Sequence, residues 1–155
     1  MPFQIHALPY TTFAPYFDMT QDALEHHAAR RVTADAKPGY PCRVSLQDAE
    51  PGDELVLVNY EHQSGRSPYR ASHAVFVRKG ATQARPDPGA VPQVLQLRLL
   101  SLRGFDHKDM MIAADVIKGR DAAAQLKTML SDPAVDYIHI HYAKPGCFAA
   151  RVTRV

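Results

Sequence analysis

Apolar residues run together or alternate with polar ones in several short segments, and turn residues separate these segments. The run LVLVNY at 55–60 begins with four apolar residues and predicts a strand covered on both faces. After a polar loop, SHAVFVR at 72–78 predicts its antiparallel neighbour. The same reasoning predicts further strands at 3–8, 31–34 and 110–117.

Two segments carry clear helix signals. Thr20 suits the N-cap of a helix that continues to about residue 29, because its hydroxyl can accept a hydrogen bond from the first turn. Asp121 is expected to cap a second helix over 122–132 in the same way. The buried stripe of this second helix is predicted to consist of Leu126, Met129 and Leu130.

The segment 94–102 is consistent with either a strand or a helix. Its leucines alternate with polar residues as in a strand, yet three of them also fall on one face of a helix. We predict a helix, because Pro92 suits a first helical position and no β-branched residue follows Val94 within the segment.

Residues 135–155 predict a terminal hairpin with its turn at 144–146. A three-residue loop pairs His139 with Arg151, His141 with Ala149 and Ala143 with Cys147. Alternation of side chains assigns one face to the core, with Ile138, Ile140, Tyr142, Phe148, Ala150 and Val152. The opposite face is predicted to carry Tyr137, His139, His141, Cys147 and Arg151.

Strands in local pairs, with helices between them, predict the fold class. The expected architecture is α+β, with a mainly antiparallel sheet, about three helices and a C-terminal β-hairpin. A chain of 155 residues can bury a core of its own, so we expect a single globular domain over 1–155.

Charge and cysteine content exclude several classes of function. The 18 Lys and Arg residues are interleaved with 16 Asp and Glu residues, so we expect no nucleic-acid partner. The apolar runs are all far shorter than the ~18 residues of a membrane span, so we expect no membrane association. The N-terminal segment lacks the pattern of a secretory signal, which predicts a cytoplasmic location. Cys42 and Cys147 are too far apart in sequence for a CxxC site and are expected to be free thiols.

Polar side chains gather near the ends of the central strands, where a scaffold commonly presents a site. His62 and His141 are the candidates for proton transfer. The candidates for ligand binding are Arg43, Tyr60, Tyr69, Arg70, His73 and Arg151. Because a guanidinium binds carboxylates and phosphates, the favoured hypothesis is a domain that binds, or binds and transforms, a small anionic ligand. We expect it to need no cofactor.

Two alternatives stay open. His139 and His141, with Cys147 nearby, present imidazole and thiol groups on one predicted strand face, and zinc or a similar divalent metal takes such ligands in metal-dependent enzymes. Arg151 opposite His139 would repel that cation, so the anion is preferred. The other alternative is a non-catalytic interaction or regulatory module that forms a homo-oligomer, such as a dimer, through a sheet edge or the hairpin.

Four blocks of the chain carry a family resemblance. They are GYPCRVSLQDAEPGDELVLVNYEHQ at 39–63, SPYRASHAVFVRKGA at 67–81, LLSLRGFD at 99–106 and KPGCFAARV at 144–152. The sequence resembles a bacterial single-domain family of about this length whose function is unknown. The resemblance implies a single-domain bacterial protein and brings no activity, cofactor or site residue, so the functional hypothesis depends on the residues alone.

Overall fold

The computed structural model describes residues 2–155, and within that range the strands form two antiparallel sheets. The five-stranded sheet has the order β1-β8-β7-β5-β6. Its strands are β1 (Phe3–His6), β5 (Leu99–Phe105), β6 (Met111–Lys118), β7 (Tyr137–Tyr142) and β8 (Phe148–Arg154). The three-stranded sheet has the order β2-β3-β4, with β2 (Ala29–Thr33), β3 (Glu54–Gln63) and β4 (Ala71–Arg78). The α+β prediction with a mainly antiparallel sheet is confirmed.

The central hairpin of the three-stranded sheet agrees with the sequence pattern. β3 and β4 pair antiparallel, with Leu57 opposite Phe76. β3 continues to Gln63, three residues beyond the predicted end, and the pairing becomes irregular between Tyr60 and Gln63. The extension places His62 inside a strand, where the backbone fixes the direction of its side chain.

The described residues contain three α-helices, α1 (Gln21–His26), α2 (Gln93–Gln96) and α3 (Ala122–Leu130). Thr20 Oγ1 accepts a hydrogen bond from the Ala23 amide at 3.2 Å, as the N-cap prediction requires. α1 ends before residue 29, because Ala28 adopts a left-handed conformation with φ 52° that a right-handed helix cannot contain. Within residues 2–155, each helix is too short or too polar to cross a membrane.

α3 buries the predicted stripe of Leu126, Met129 and Leu130. The expected side-chain cap by Asp121 is wrong, because Asp121 lies in a 3₁₀ turn (Gly119–Asp121) and its carboxylate makes no capping hydrogen bond. α3 covers one face of the five-stranded sheet and forms the main core with it. The buried residues of this core include Leu100, Leu102, Leu126, Leu130, Ile138 and Ile140. A second core packs α1 against the three-stranded sheet, through Leu24, Val56, Val58, Val75 and Val77.

The helix predicted at 94–102 is wrong. Only the four residues of α2 are α-helical, and β5 begins at Leu99. β5 lies between β6 and β7, and its backbone N–H and C=O groups form hydrogen bonds with these two strands, which lie elsewhere in the sequence. Its leucines alternate because Leu100 and Leu102 enter the main core, while Ser101 and Arg103 face the other way.

The terminal hairpin forms, and part of its predicted register is wrong. His139 is opposite Arg151 as expected, but His141 is opposite Phe148 rather than Ala149. A β-bulge between Ile140 and His141 shifts the pairing by one residue, which reverses the side-chain alternation of β8 near the turn. Phe148 therefore lies on the histidine face, and Cys147 joins the main core instead.

Gly119 provides a test of how α2 packs on the β6–α3 connection. The Gly119 amide donates to the Arg98 carbonyl at 2.8 Å, and a Cβ on Gly119 would lie 2.7 Å from that oxygen and 2.9 Å from Gln96 Cα. Because these obstacles are backbone atoms, we expect Gly119→Ala to lower the free energy of unfolding by about 3 kcal/mol in urea denaturation. Gly39→Ala is the matched control. Its Cβ would meet only the Ala36 carbonyl at 3.6 Å, so we expect a change within about 0.5 kcal/mol. Equal stability of the two variants would contradict the packing described.

Candidate functional site

Three histidines converge where the two sheets meet. His62 comes from β3 of the three-stranded sheet, and His139 and His141 come from β7 of the five-stranded sheet. His139 and His141 are alternate residues of a strand, so they share one face. One ring nitrogen from each of the three residues lies within 4.8 Å of the other two. We call these three residues the histidine cluster.

Each histidine of the cluster has one buried ring nitrogen without a partner. His139 is 4% exposed and His141 is 1% exposed. Among the described residues, Nδ1 of His62, Nδ1 of His139 and Nε2 of His141 have no hydrogen-bond partner. A buried polar atom without a partner costs about 1–3 kcal/mol, so this arrangement is unfavourable unless another group binds to it.

The hydrogen bond of His141 fixes which of its nitrogens is free. Its Nδ1 lies 3.0 Å from the Gly146 carbonyl oxygen, which can only accept. Nδ1 therefore carries the proton, and in the neutral ring Nε2 holds a lone pair directed into the cluster. Metal-ligating histidines commonly show this arrangement, with a carbonyl orienting the ring from the far side.

All three imidazoles are neutral near pH 7. Burial, with smaller contributions from Arg103 and His73, lowers the pKa of His62 to about 4. Burial also lowers the pKa of His139 and of His141 to about 3, with smaller effects from the neighbouring histidines and arginines. Each ring therefore keeps a lone pair that can bind a metal ion without competition from a proton.

Aromatic rings form the wall of the cluster. The Phe148 ring stacks on the His62 ring, with 5.5 Å between centroids and 4° between planes. It also meets His139 and His141 edge-on. Phe105 lies 5.1 Å from His139 between ring centroids. These rings exclude water and hold the imidazoles in place.

Two arginines flank His139. Arg103 is its neighbour on β5, and Arg151 is its neighbour on β8. Arg103 is half-buried, which lowers the pKa of its guanidinium, and its Nε donates to Ser101 Oγ at 3.3 Å. The Arg151 guanidinium lies 4.6 Å from the centre of the Tyr137 ring. Within residues 2–155, neither arginine has a carboxylate oxygen within 4.0 Å, and Arg103 is half-buried whereas Arg151 is exposed to solvent.

A hydrogen-bond network connects the end of β3 to the five-stranded sheet beside the cluster. Gln63 Nε2 donates to the Tyr137 hydroxyl at 2.9 Å, and that hydroxyl donates to Asp109 Oδ1. Gln63 Oε1 accepts from the Gly65 amide at 3.1 Å. Gln63 directly follows His62, and Tyr137 lies two residues before His139. The network therefore holds His62 beside β7.

The other predicted site residues fall into two groups. His73 lies opposite Tyr60 in the β3–β4 pair, and the Tyr60 ring is 6.3 Å from the Phe148 ring, so both lie beside the cluster. Arg43, Tyr69, Arg70 and Cys147 lie outside it. Arg70 is exposed and forms an ion pair with Glu61 at 3.6 Å, and Tyr69 is exposed with its ring 6.2 Å from Phe105. Arg43 and Cys147 contact each other at the β7–β8 turn, where Arg43 Nη2 donates to Cys147 Sγ at 2.9 Å.

Sequence reasoning missed two residues that define the site. Arg103 directly follows the segment 94–102 that the sequence predicts as a helix, so no strand pairing places it beside His139. The available signal was that Ser101, Arg103 and Phe105 are alternate residues, which would share one face of a strand. Phe148 was assigned to the core face, and only the bulge places it on the histidine face.

The fold and the site define an α+β protein in which two antiparallel sheets enclose a buried three-histidine cluster. The chain belongs to a family of proteins of unknown function, DUF1203, whose family model matches residues 39–154. This confirms the resemblance seen in the sequence, and the whole cluster and Arg103 lie within the matched residues. Comparison with curated proteins and with solved structures gives no match.

Tyr137 provides a test of the network that positions His62. Tyr137→Phe removes the hydroxyl that accepts from Gln63 and donates to Asp109, so we expect the free energy of unfolding to fall by about 1–2 kcal/mol. Tyr69→Phe is the matched control, because Tyr69 is exposed. Its expected change is within about 0.5 kcal/mol. Urea denaturation measures both, and an unchanged Tyr137→Phe variant would show that the network does not hold the sheets together.

Proposed function

We propose that the protein binds a divalent transition-metal ion through His62, His139 and His141, and that a small anion, its substrate, occupies the next position on the metal. The observation that carries this proposal is the convergence of three buried, unpartnered imidazole nitrogens. Imidazole is a ligand for zinc, copper, iron and nickel. Three protein ligands with one position open is the arrangement of catalytic rather than structural zinc.

The geometry of the cluster fits such an ion. Zinc–nitrogen bonds of about 2.0–2.1 Å in a tetrahedral site place the ligand nitrogens about 3.3 Å apart. The three nitrogens lie within 4.8 Å of one another, so small rotations of the rings are enough to close the site. His141 is already oriented by the Gly146 carbonyl, and the stacked Phe148 ring limits how far His62 can turn.

The charges around the cluster favour an anionic ligand. A bound divalent cation would add its two positive charges to those of Arg103 and Arg151, and the three neutral imidazoles would offset none of them. An oxyanion bound beside the metal would compensate these charges, and Arg103 is suited to hold it through its planar guanidinium. When bound, the metal would supply Lewis acidity toward that oxyanion or toward a bound water.

Acid–base catalysis by the histidines alone has less support. A group with a pKa of about 3 or 4 carries few protons near pH 7 and is a weak base, so His62 and His141 are poorly matched to proton transfer. The same neutrality favours metal ligation.

We also propose a location in the bacterial cytoplasm, since Cys42 and Cys147 are buried and unpaired, as is usual in a reducing compartment.

Metal binding can be tested on protein purified without chelator. We expect about one zinc, iron, copper or nickel ion per chain by elemental analysis. For the metal-free protein, free zinc at about 100 times its dissociation constant is expected to add about 2.7 kcal/mol to the free energy of unfolding and to raise the melting temperature by roughly 5–10 °C.

The matched variants are His141→Ala and His107→Ala. His107 is exposed in the β5–β6 turn, so His107→Ala should keep both the bound metal and the zinc-induced shift. His141→Ala should lose both, because it removes an oriented ligand. If zinc stabilises the two variants equally, the cluster is not the metal site.

Anion binding can be followed in cobalt-substituted protein, whose visible spectrum reports the ligands of the metal. We expect phosphate or acetate to change that spectrum, and the anion that binds more tightly identifies the preferred oxyanion. Arg103→Gln should weaken this binding about tenfold while metal affinity is retained, because one charged hydrogen-bond donor is lost. Arg103→Lys should restore part of it, and Arg120→Gln, at an exposed arginine, should behave as wild type. Equal anion affinity in Arg103→Gln would exclude Arg103 from the site.

A further inference from the structure

A cavity lies beside the β7–β8 turn, apart from the histidine cluster. Its volume is about 490 Å³, within the range of small-molecule sites, and none of the three cluster histidines lines it. Leu57 and Phe76 of the three-stranded sheet form one wall. Leu97, which follows α2, and residues of the β7–β8 hairpin, including Tyr142 and Cys147, form much of the rest.

A fully buried charge lines this cavity. Arg43 is 1% exposed, and its guanidinium stays protonated in proteins. It donates to the Phe148 carbonyl at 2.8 Å, to the Pro41 carbonyl at 2.6 Å and to Cys147 Sγ at 2.9 Å. In the described part of the chain, no carboxylate oxygen lies within 4.0 Å of it. A buried charge without a counter-charge is costly, and two of the five N–H donors of Arg43 are still unused.

The neighbours of Arg43 do not supply the missing negative charge. Tyr142 lies between two guanidiniums, with Arg43 at 5.0 Å and Arg98 at 5.1 Å from its ring centre. Burial raises the pKa of Tyr142 to about 12, so its hydroxyl is neutral. Asp48 is engaged by Arg98, which binds both of its carboxylate oxygens at 2.6 and 3.0 Å. Lys144 adds a further positive charge at the cavity, and within residues 2–155 it has no ion pair.

We propose that this cavity binds a small organic anion, with its oxyanion group toward Arg43 and Lys144 and its apolar body against Leu57 and Phe76. The anion supplies the counter-charge that Arg43 lacks. The apolar walls select a ligand with a hydrocarbon or aromatic body over inorganic phosphate. This site is independent of the metal site, since the two share no ligand residue.

The probe for this cavity is anilinonaphthalene sulfonate, an aromatic sulfonate whose fluorescence rises in apolar surroundings. We expect one saturable site per chain. Ala74 lines the cavity, and Ala74→Trp should fill part of it and weaken binding about tenfold or more. Lys144→Ala, at an exposed residue, should weaken binding roughly three- to tenfold, whereas Lys127→Ala, at an exposed position on α3, should leave it within about twofold.

Two comparisons decide the outcome. The uncharged analogue phenylnaphthylamine should bind at least about tenfold more weakly than the sulfonate, because it cannot pair with Arg43. Equal binding of the two probes, or sulfonate binding that neither Ala74→Trp nor Lys144→Ala weakens, would overturn the proposal. The His141→Ala variant, which is expected to lack the metal, should still bind the sulfonate, so failure of the metal site and failure of this site are distinguishable.

Discussion

Arg43 joins the two sheets through its backbone and its buried guanidinium, and the arrangement of both candidate sites depends on these contacts. Its backbone amide donates to the Phe76 carbonyl of β4 at 3.0 Å, and its side chain donates to the Phe148 carbonyl of β8. One residue therefore bonds to both sheets at their junction. Charge-assisted hydrogen bonds to carbonyls are among the stronger polar contacts in a protein interior, so this junction has a defined geometry.

The histidine cluster lies at the same junction of the two sheets. β7 alone offers His139 and His141, and two imidazoles on a strand face are a weak metal site. The third candidate ligand, His62, belongs to the other sheet; its ring lies 4.8 Å from His141 and stacks on Phe148, whose carbonyl accepts from Arg43. The fold thus brings His62 to two histidines more than seventy positions further along the chain, and it leaves one nitrogen of each ring unpartnered at a cost that a bound ion would remove.

Local patterns predicted the features that depend on local chemistry. The β3–β4 hairpin, the Thr20 cap and the pairing of His139 with Arg151 all follow from neighbouring residues. The bulge before His141 and the strand character of 99–105 depend on pairing between distant segments, which no local window contains. For the same reason the sequence presented the metal as a two-histidine alternative, and only the packing of the sheets adds His62.

The β7–β8 turn serves both proposed sites. The Gly146 carbonyl orients His141 in the cluster, and the next residue, Cys147, contacts Arg43 in the cavity. Gly146 has a φ of 81°, a conformation that residues with a Cβ rarely adopt, so a glycine is needed to present that carbonyl. Phe148 then turns its ring to one site and its carbonyl to the other. A short bulged turn can therefore define two sites at once, because consecutive strand residues point to opposite sides of the sheet and the bulge sets which of them faces the cluster.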